Sequence, residues 1–158
     1  MIKTGAMPGD ERIESVLAVM ASESFAVFAF AGEAGEPPYS SVMFFAETPD
    51  LEVIFGTSPG AMKGRYLEPD NGCVVQVDTR GVGLENVSQF ARITLQGRLE
   101  LLDGEPREAA LATYAAKLPH AKVFLARPGV QIWRVRPLYL VFSRGFGERF
   151  ELDLPARS

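Results

Sequence analysis

The chain has 158 residues, 47% of them hydrophobic and 23% charged, with a formal net charge of −4. That length suits one domain with a real core, and the acidic balance argues against nucleic acid or an anionic membrane surface as a partner. Cys73 is the only cysteine, so no intrachain disulfide can form, and its place in the apolar run CVVQV marks it as a buried small hydrophobe rather than a nucleophile. The N-terminus lacks a basic stretch followed by a long apolar run, and nothing is long enough to span a bilayer. A cytosolic, reduced protein is the expectation.

Residues 10–22 read as a helix. Asp10 can cap it, and Ile13, Val16, Leu17 and Met20 fall on one face. Phe25 to Ala31 reads as a strand, followed by the exposed turn GEAGEPP. Tyr39 to Ala46 is a second strand, and the apolar run VMFF predicts that it lies inside a sheet. Glu47 to Asp50 turns the chain and Leu51 to Phe55 returns it.

The next segment, Gly56-Thr57-Ser58-Pro59-Gly60, carries the sharpest functional signal. Ser58 is a good N-cap and Pro59 a good first residue, which predicts a helix that stops before Pro69. Its charges are reversed for a helix start. Lys63 and Arg65 lie near the beginning, Glu68 lies at the far end, and Ala61 leaves the capping-box position without a carboxylate. Free amide donors, two cations and the hydroxyls of Thr57 and Ser58 suggest a seat for an external anion, of which phosphate is the natural candidate. The plainer reading is a capped helix with Lys63 and Arg65 in water.

Cys73 to Val77 is a further apolar strand. From Phe90 to Leu102 apolar and polar residues alternate strictly, placing Ile93, Leu95, Gly97, Leu99 and Leu101 on one face of a long half-buried strand. Gly97 is a candidate bend or bulge. Glu105 to Lys117 is an Ala-rich helix, and Val130–Val135, Leu138–Ser143 and Arg149–Leu154 are closing strands. At least seven strands with three peripheral helices and no βαβ alternation predict a mainly β, α+β fold: an antiparallel barrel or sandwich with helical additions.

Several signatures fail. GVGLEN lacks the third glycine of a dinucleotide fingerprint, and GAMKGR lacks the Gly-Lys-Ser/Thr core of a P-loop. His120 is the sole histidine, which excludes a multi-histidine metal site and leaves it as a surface or capping residue. No pair of acids is marked out for acid/base work. Trp133 reads as core or interface.

The order of elements and the words FGTSPGAMK resemble the FMN-binding split barrels, the superfamily of pyridoxamine 5′-phosphate oxidase. The resemblance runs from the first helix to the last strand. In that family an aromatic-Tyr-Thr strand end leads to a Ser-Arg-Lys loop that holds the FMN phosphate. Gly56 and Thr57 match the Tyr-Thr pair and Lys63 the lysine, Ser58 lies in the loop, and Met62 stands where the arginine would be. Arg65 is a substitute one step further on. The family's flavin-lining strand falls on residues 41–46, so the resemblance implies that Ser40, Ser41, Val42 and Met43 flank the ring and ribityl chain. Arg92 holds the spacing of a family glutamine ahead of Gly97. The substrate-gripping arginine and histidine are replaced by Gly145 and Gly147, and a substrate lysine by Ala46, so vitamin B6 oxidation is not implied. What is implied is a homodimeric split barrel with FMN between subunits and a small-molecule redox substrate. A split barrel holding haem or the deazaflavin F420, and a non-catalytic binding module, stand as alternatives.

Overall fold

A computed structural model describes residues 3–5, 10–60 and 62–154. In chain order its regular elements are β1 (Lys3–Gly5), α1 (Glu11–Ser22), β2 (Phe25–Phe30), β3 (Tyr39–Phe44), β4 (Ala46–Glu47), β5 (Val53–Thr57), β6 (Gly72–Asp78), β7 (Ala91–Leu101), α2 (Gly104–Lys117), α3 (Lys122–Leu125), β8 (Gln131–Arg144) and β9 (Glu148–Asp153), with short 3-10 turns between some of them. The strands form one sheet in the order β1-β9-β8-β7-β6-β2-β3, with β5 on the free half of β8 and β4 on β5. All pairings are antiparallel except β1 with β9. This is the expected antiparallel split barrel with peripheral helices.

The interior follows from alternation along the strands. Phe28 and Phe30 of β2, Phe55 of β5, Val75 of β6, Leu95 of β7 and Phe142 of β8 point inward and are fully or almost fully buried. Phe28 packs on Phe55 with ring centroids 4.8 Å apart, a tilted pair worth about 1 kcal/mol beyond its area. The helix α1 plugs the barrel with Val16, Val19 and Met20. Its start is the predicted one: the Asp10 carboxylate accepts from the Arg12 N–H at 2.8 Å. Trp133 is 2% exposed in this core, and its indole Nε1 has no hydrogen-bond partner.

A second, smaller core lies outside the barrel, where Ala110 and Tyr114 of α2 cover Ile54 and Ile132. The two layers are joined at Lys117. Its ammonium donates to the Met20 carbonyl at 2.9 Å and to Glu47 Oε2 at 2.7 Å, and lies 3.8 Å from the centre of the Phe45 ring. Burial lowers the Lys117 pKa, and Glu47 partly restores it.

Three expectations need correction. The closing strands 130–135 and 138–143 are one strand, β8, continuous through Pro137. Continuity survives because Pro137 stands opposite Gly97, where the β7–β8 register shifts, and a bulge tolerates proline's missing N–H. Gly97 is therefore the predicted bulge, and a Cβ there would stand 2.3 Å from the Arg136 carbonyl oxygen. Second, β3 is an edge strand, not an interior one. Its apolar run covers both faces because Val42 and Phe44 point outward, 64% and 48% exposed. Third, the helix expected after Ser58 is a turn at Pro59–Gly60 followed by the short 3-10 segment Met62–Tyr66. Gly60 has φ +75°, and Gly60 and Gly64 each cost about 1 kcal/mol in a helix, too much for so short a segment. No helix among the described residues is long and apolar enough to cross a membrane.

Candidate functional site

The barrel is open along one seam. Among the described residues β3 pairs only with β2, and β5 pairs with β4 and β8, so no ladder joins β3 to β5. The β4–β5 pairing matches Ala46 with Ile54. Continued past the end of β4, that register sets Met43 opposite Thr57 and Val42 opposite Ser58. An unpaired edge presents a row of backbone N–H and C=O groups every second residue, ready for a ligand with its own donors and acceptors.

Most residues singled out from the sequence gather along this seam. Ser40 and Val42 lie on the outer face of β3, whereas Ser41 and Met43 lie on the inner one, where Met43 packs on the core. Thr57 ends β5 at 2% exposure, and Ser58 is exposed beyond it. Gly56 faces the other way. A Cβ there would lie 3.3 Å from the Phe124 ring, so the glycine lets α3 lie close against β5. A Cβ on Gly129 would lie 2.6 Å from Pro59 Cγ, so the chain after α3 walls the turn that follows Thr57. The backbone of Met62 and Lys63 opens the 3-10 segment, but their side chains lie outside the described residues.

Two cations stand differently from expectation. Arg65 does not face an open anion seat. Its guanidinium donates to the Tyr66 hydroxyl at 3.0 Å, lies 5.0 Å from that ring's centre and is 3.9 Å from Glu36. The Tyr66 hydrogen bond, reinforced by Glu36, pushes its pKa up. It lines a hollow of about 430 Å³ that also carries Glu33, Glu36, Glu68 and Asp70, surroundings that disfavour a phosphate. Arg92 is remote as well. It stands three strands across and four residues along from Ser40, on the order of 20 Å over the sheet surface. Its Nε donates to Ser143 Oγ at 3.1 Å, and its guanidinium lies over Phe90. Of the residues expected to seat an anion, Thr57, Ser58 and the backbone of Lys63 thus follow one another at the end of β5, apart from both arginines.

Sequence reasoning missed two features. Tyr39 and Tyr66 stack at 5.3 Å across the mouth of the seam, braced by Asn71, whose amide donates to the carbonyls of Ala31 and Tyr66. Nothing local in the sequence joins two tyrosines so far apart; only the sheet order brings them together. On the outer face, Phe25, Val27, Val42 and Gln76 wall a second hollow of about 400 Å³. The period-2 alternation of β2 and β6 held that information, but only once β3 is known to be their neighbour.

Among the described residues, the cysteine and the histidine offer no acid/base group at the seam. Burial pushes the Cys73 thiol up to about 12, which leaves it inert at neutral pH, and His120 is exposed on the turn Pro119–Ala121. The unpaired strand edge, the apolar hollow at Val42 and the hydroxyls at Thr57 and Ser58 do suit a planar polar ring with an anionic tail.

Comparisons with known proteins bear on the fold. No family model and no curated protein sequence matches the chain. Among solved structures, a haem-binding protein of Mycobacterium smegmatis superposes with a TM-score of 0.77 over 94% of this chain, at 20% identity, and the chain spans 59% of that protein's length. A Clostridium acetobutylicum protein of the pyridoxinephosphate oxidase family, related to general stress protein 26, gives 0.67 at 13% identity, covering 90% of this chain and 94% of that one. An FAD-binding protein of Mesorhizobium loti gives 0.64 at 20% identity, covering 82% and 90%. At these identities the likeness is one of fold: the chain shares the split-barrel architecture of proteins that include a haem-binding protein, an FAD-binding protein and a pyridoxinephosphate oxidase family member.

Proposed function

We propose that this protein is a flavin-binding split barrel that holds FMN along the β3–β5 seam, as a homodimer, and exchanges hydride or electrons with a small organic or nicotinamide partner. The observation that carries the reading is the edge of β3 left unpaired among the described residues; the β4–β5 register, continued, sets Thr57 and Ser58 across the seam from it. The β3 backbone with Ser40 and Ser41 would hydrogen-bond the ring and ribityl chain, Val42 would support the ring, and Thr57, Ser58 and Lys63 would take the phosphate. Bound FMN supplies the redox chemistry itself, so the protein's part is position, electrostatics and exclusion of water. That division of labour fits a site without an acid/base pair. With Arg65 turned to Glu36, Lys63 is the one cation of this stretch left to the phosphate. The dimer draws support from the outer face, where Val42, Val27, Gln76, Thr94 and Val141 form one uncharged row across five strands.

The haem-binding neighbour supports a second reading, haem in place of flavin, with His120 as the only histidine available to iron. The absorption spectrum of protein loaded with each cofactor separates the two. A flavin spectrum with saturable micromolar FMN binding supports the first reading. A Soret band that is lost in His120→Ala supports the second. Failure to bind either overturns both and leaves a non-catalytic module.

A further inference from the structure

Phe146 is the most exposed large apolar residue described, at 93%, yet the hairpin that carries it is rigidly built. It sits at the apex of the β8–β9 turn, Gly145–Gly147. Gly145 has φ +56°, donates its N–H to the Phe90 carbonyl at 2.9 Å, and has no room for a Cβ, which would lie 2.7 Å from the Ser88 carbonyl oxygen. Below it Arg144 pairs with Glu148 at 2.9 Å, and Phe142 stacks on Phe150 at 4.7 Å. The turn is braced while its phenyl ring stands in water, so an association that covers the ring gains by removing apolar surface from solvent.

The same end of the sheet carries a concavity of matching character. The outer hollow of about 400 Å³ has Phe25, Val27 and Val42 as apolar walls and Glu23, Asp78 and Arg80 among its polar lining. Asp78 pairs with Arg92, whose neighbour Ala91 pairs with Arg144 at the base of the hairpin, so knob and hollow share one end. They stand on separate strands of one sheet, with β7 between the hairpin strand β8 and the β6 wall of the hollow.

We infer that the hollow of one copy receives Phe146 of a second copy, in a two-fold contact in which each protomer gives one knob and takes one. This rests on the dimer reading above and says how that dimer is locked. A two-fold contact pairs residue i with j and j with i, so one geometry covers both exposed features. Charge does not oppose the contact, because Arg144 pairs with Glu148 and Arg149 with Glu151 at the hairpin, and Arg80 pairs with Asp78 at the hollow. Area agrees with it. Phe25 and Phe44 are 55% and 48% exposed, and with Phe146 they leave on the order of 400 Å² of aromatic surface uncovered. That is about half of the roughly 800 Å² per partner in a stable interface. Because Val42 also lines the proposed flavin seam, the partner's hairpin would close that end of the site.

Two measurements test it. Sedimentation equilibrium of the wild-type chain gives the oligomeric state, and oxidation of the Val42→Cys/Phe146→Cys double variant gives the contact. Buried Cys73 stays out of reach, and each single variant is the control. The expected result is a dimer that becomes covalent only in the double variant, with Phe146→Asp raising the dimer dissociation constant at least tenfold at an unchanged melting temperature. A dimer without the cross-link, undisturbed by Phe146→Asp, overturns the knob-in-hollow contact and spares the dimer. A wild-type monomer overturns both.

Discussion

β7 and β8 stay paired from Leu101–Trp133 to Ala91–Arg144, whereas β3 and β5 approach each other without one ladder bond between them. The first region is closed by geometry. Its bulge needs a glycine and a proline in register, and Arg134 and Arg136 bind Glu52, Glu100 and Asp70 across three neighbouring elements. The second region is left open, with serines, a threonine and an unpaired strand edge where a ladder would have been. A chain that can build an eleven-residue strand with all its partners has no folding need for an open seam. On the function proposed above, the seam is the part kept for a ligand.

The contrast sets the ranking of substitutions. Gly97→Val should be the most damaging, because its side chain would occupy the space of the Arg136 carbonyl. A loss of about 3 kcal/mol or more in urea unfolding is expected, and a loss below 1 kcal/mol would mean the ladder is slack there.

Next comes an alkaline transition. Burial pushes Cys73 from 9.0, and Tyr114 from 10.0, up to about 12. The folded state therefore keeps protons that the unfolded chain releases, so the stability they contribute is complete below pH 9 and is lost as pH rises toward 12. At about 1.4 kcal/mol per unit, Cys73 accounts for about 3 kcal/mol by pH 11. Unfolding of Cys73→Val should show a flatter decline between pH 9 and 11 than wild type. An equally steep decline would acquit the thiol.

Lys117→Met, which removes one partner of a largely buried pair, should cost about 3 kcal/mol. Adding Glu47→Gln should cost less than its single effect, because the stranded carboxylate is then neutral. Strict additivity in the thermal melts would mean the two do not interact.

The smallest stability effects belong to the seam. Ser40→Ala, at an exposed position, and Lys63→Ala should each change unfolding free energy by less than about 0.5 kcal/mol while lowering flavin affinity. A seam variant that unfolds the protein without affecting ligand would assign the residue to structure.

The sequence made the closed region legible and the open one only in part. Strict alternation from Ile93 to Leu101 announced β7, and Gly97 marked its bulge, because burial on one face leaves a period-2 record. Pro137 read locally as a strand break, although its partner across the ladder removes the conflict. The Ser58 helix failed for a related reason. Cap residues were present, but the glycines at 60 and 64 outweighed them. That β3 is an edge, that Tyr39 meets Tyr66, and that Arg65 turns toward Glu36 are facts of long-range pairing, on which local composition is silent.

The most direct test is a paired titration of wild type and Lys63→Ala with FMN and with riboflavin, followed by flavin fluorescence. Saturable binding of both flavins by wild type, with Lys63→Ala weakening FMN at least tenfold and riboflavin hardly at all, is the predicted result. No saturable binding of either flavin, or an equal loss for both in the variant, would contradict a seam that holds a phosphate-bearing flavin.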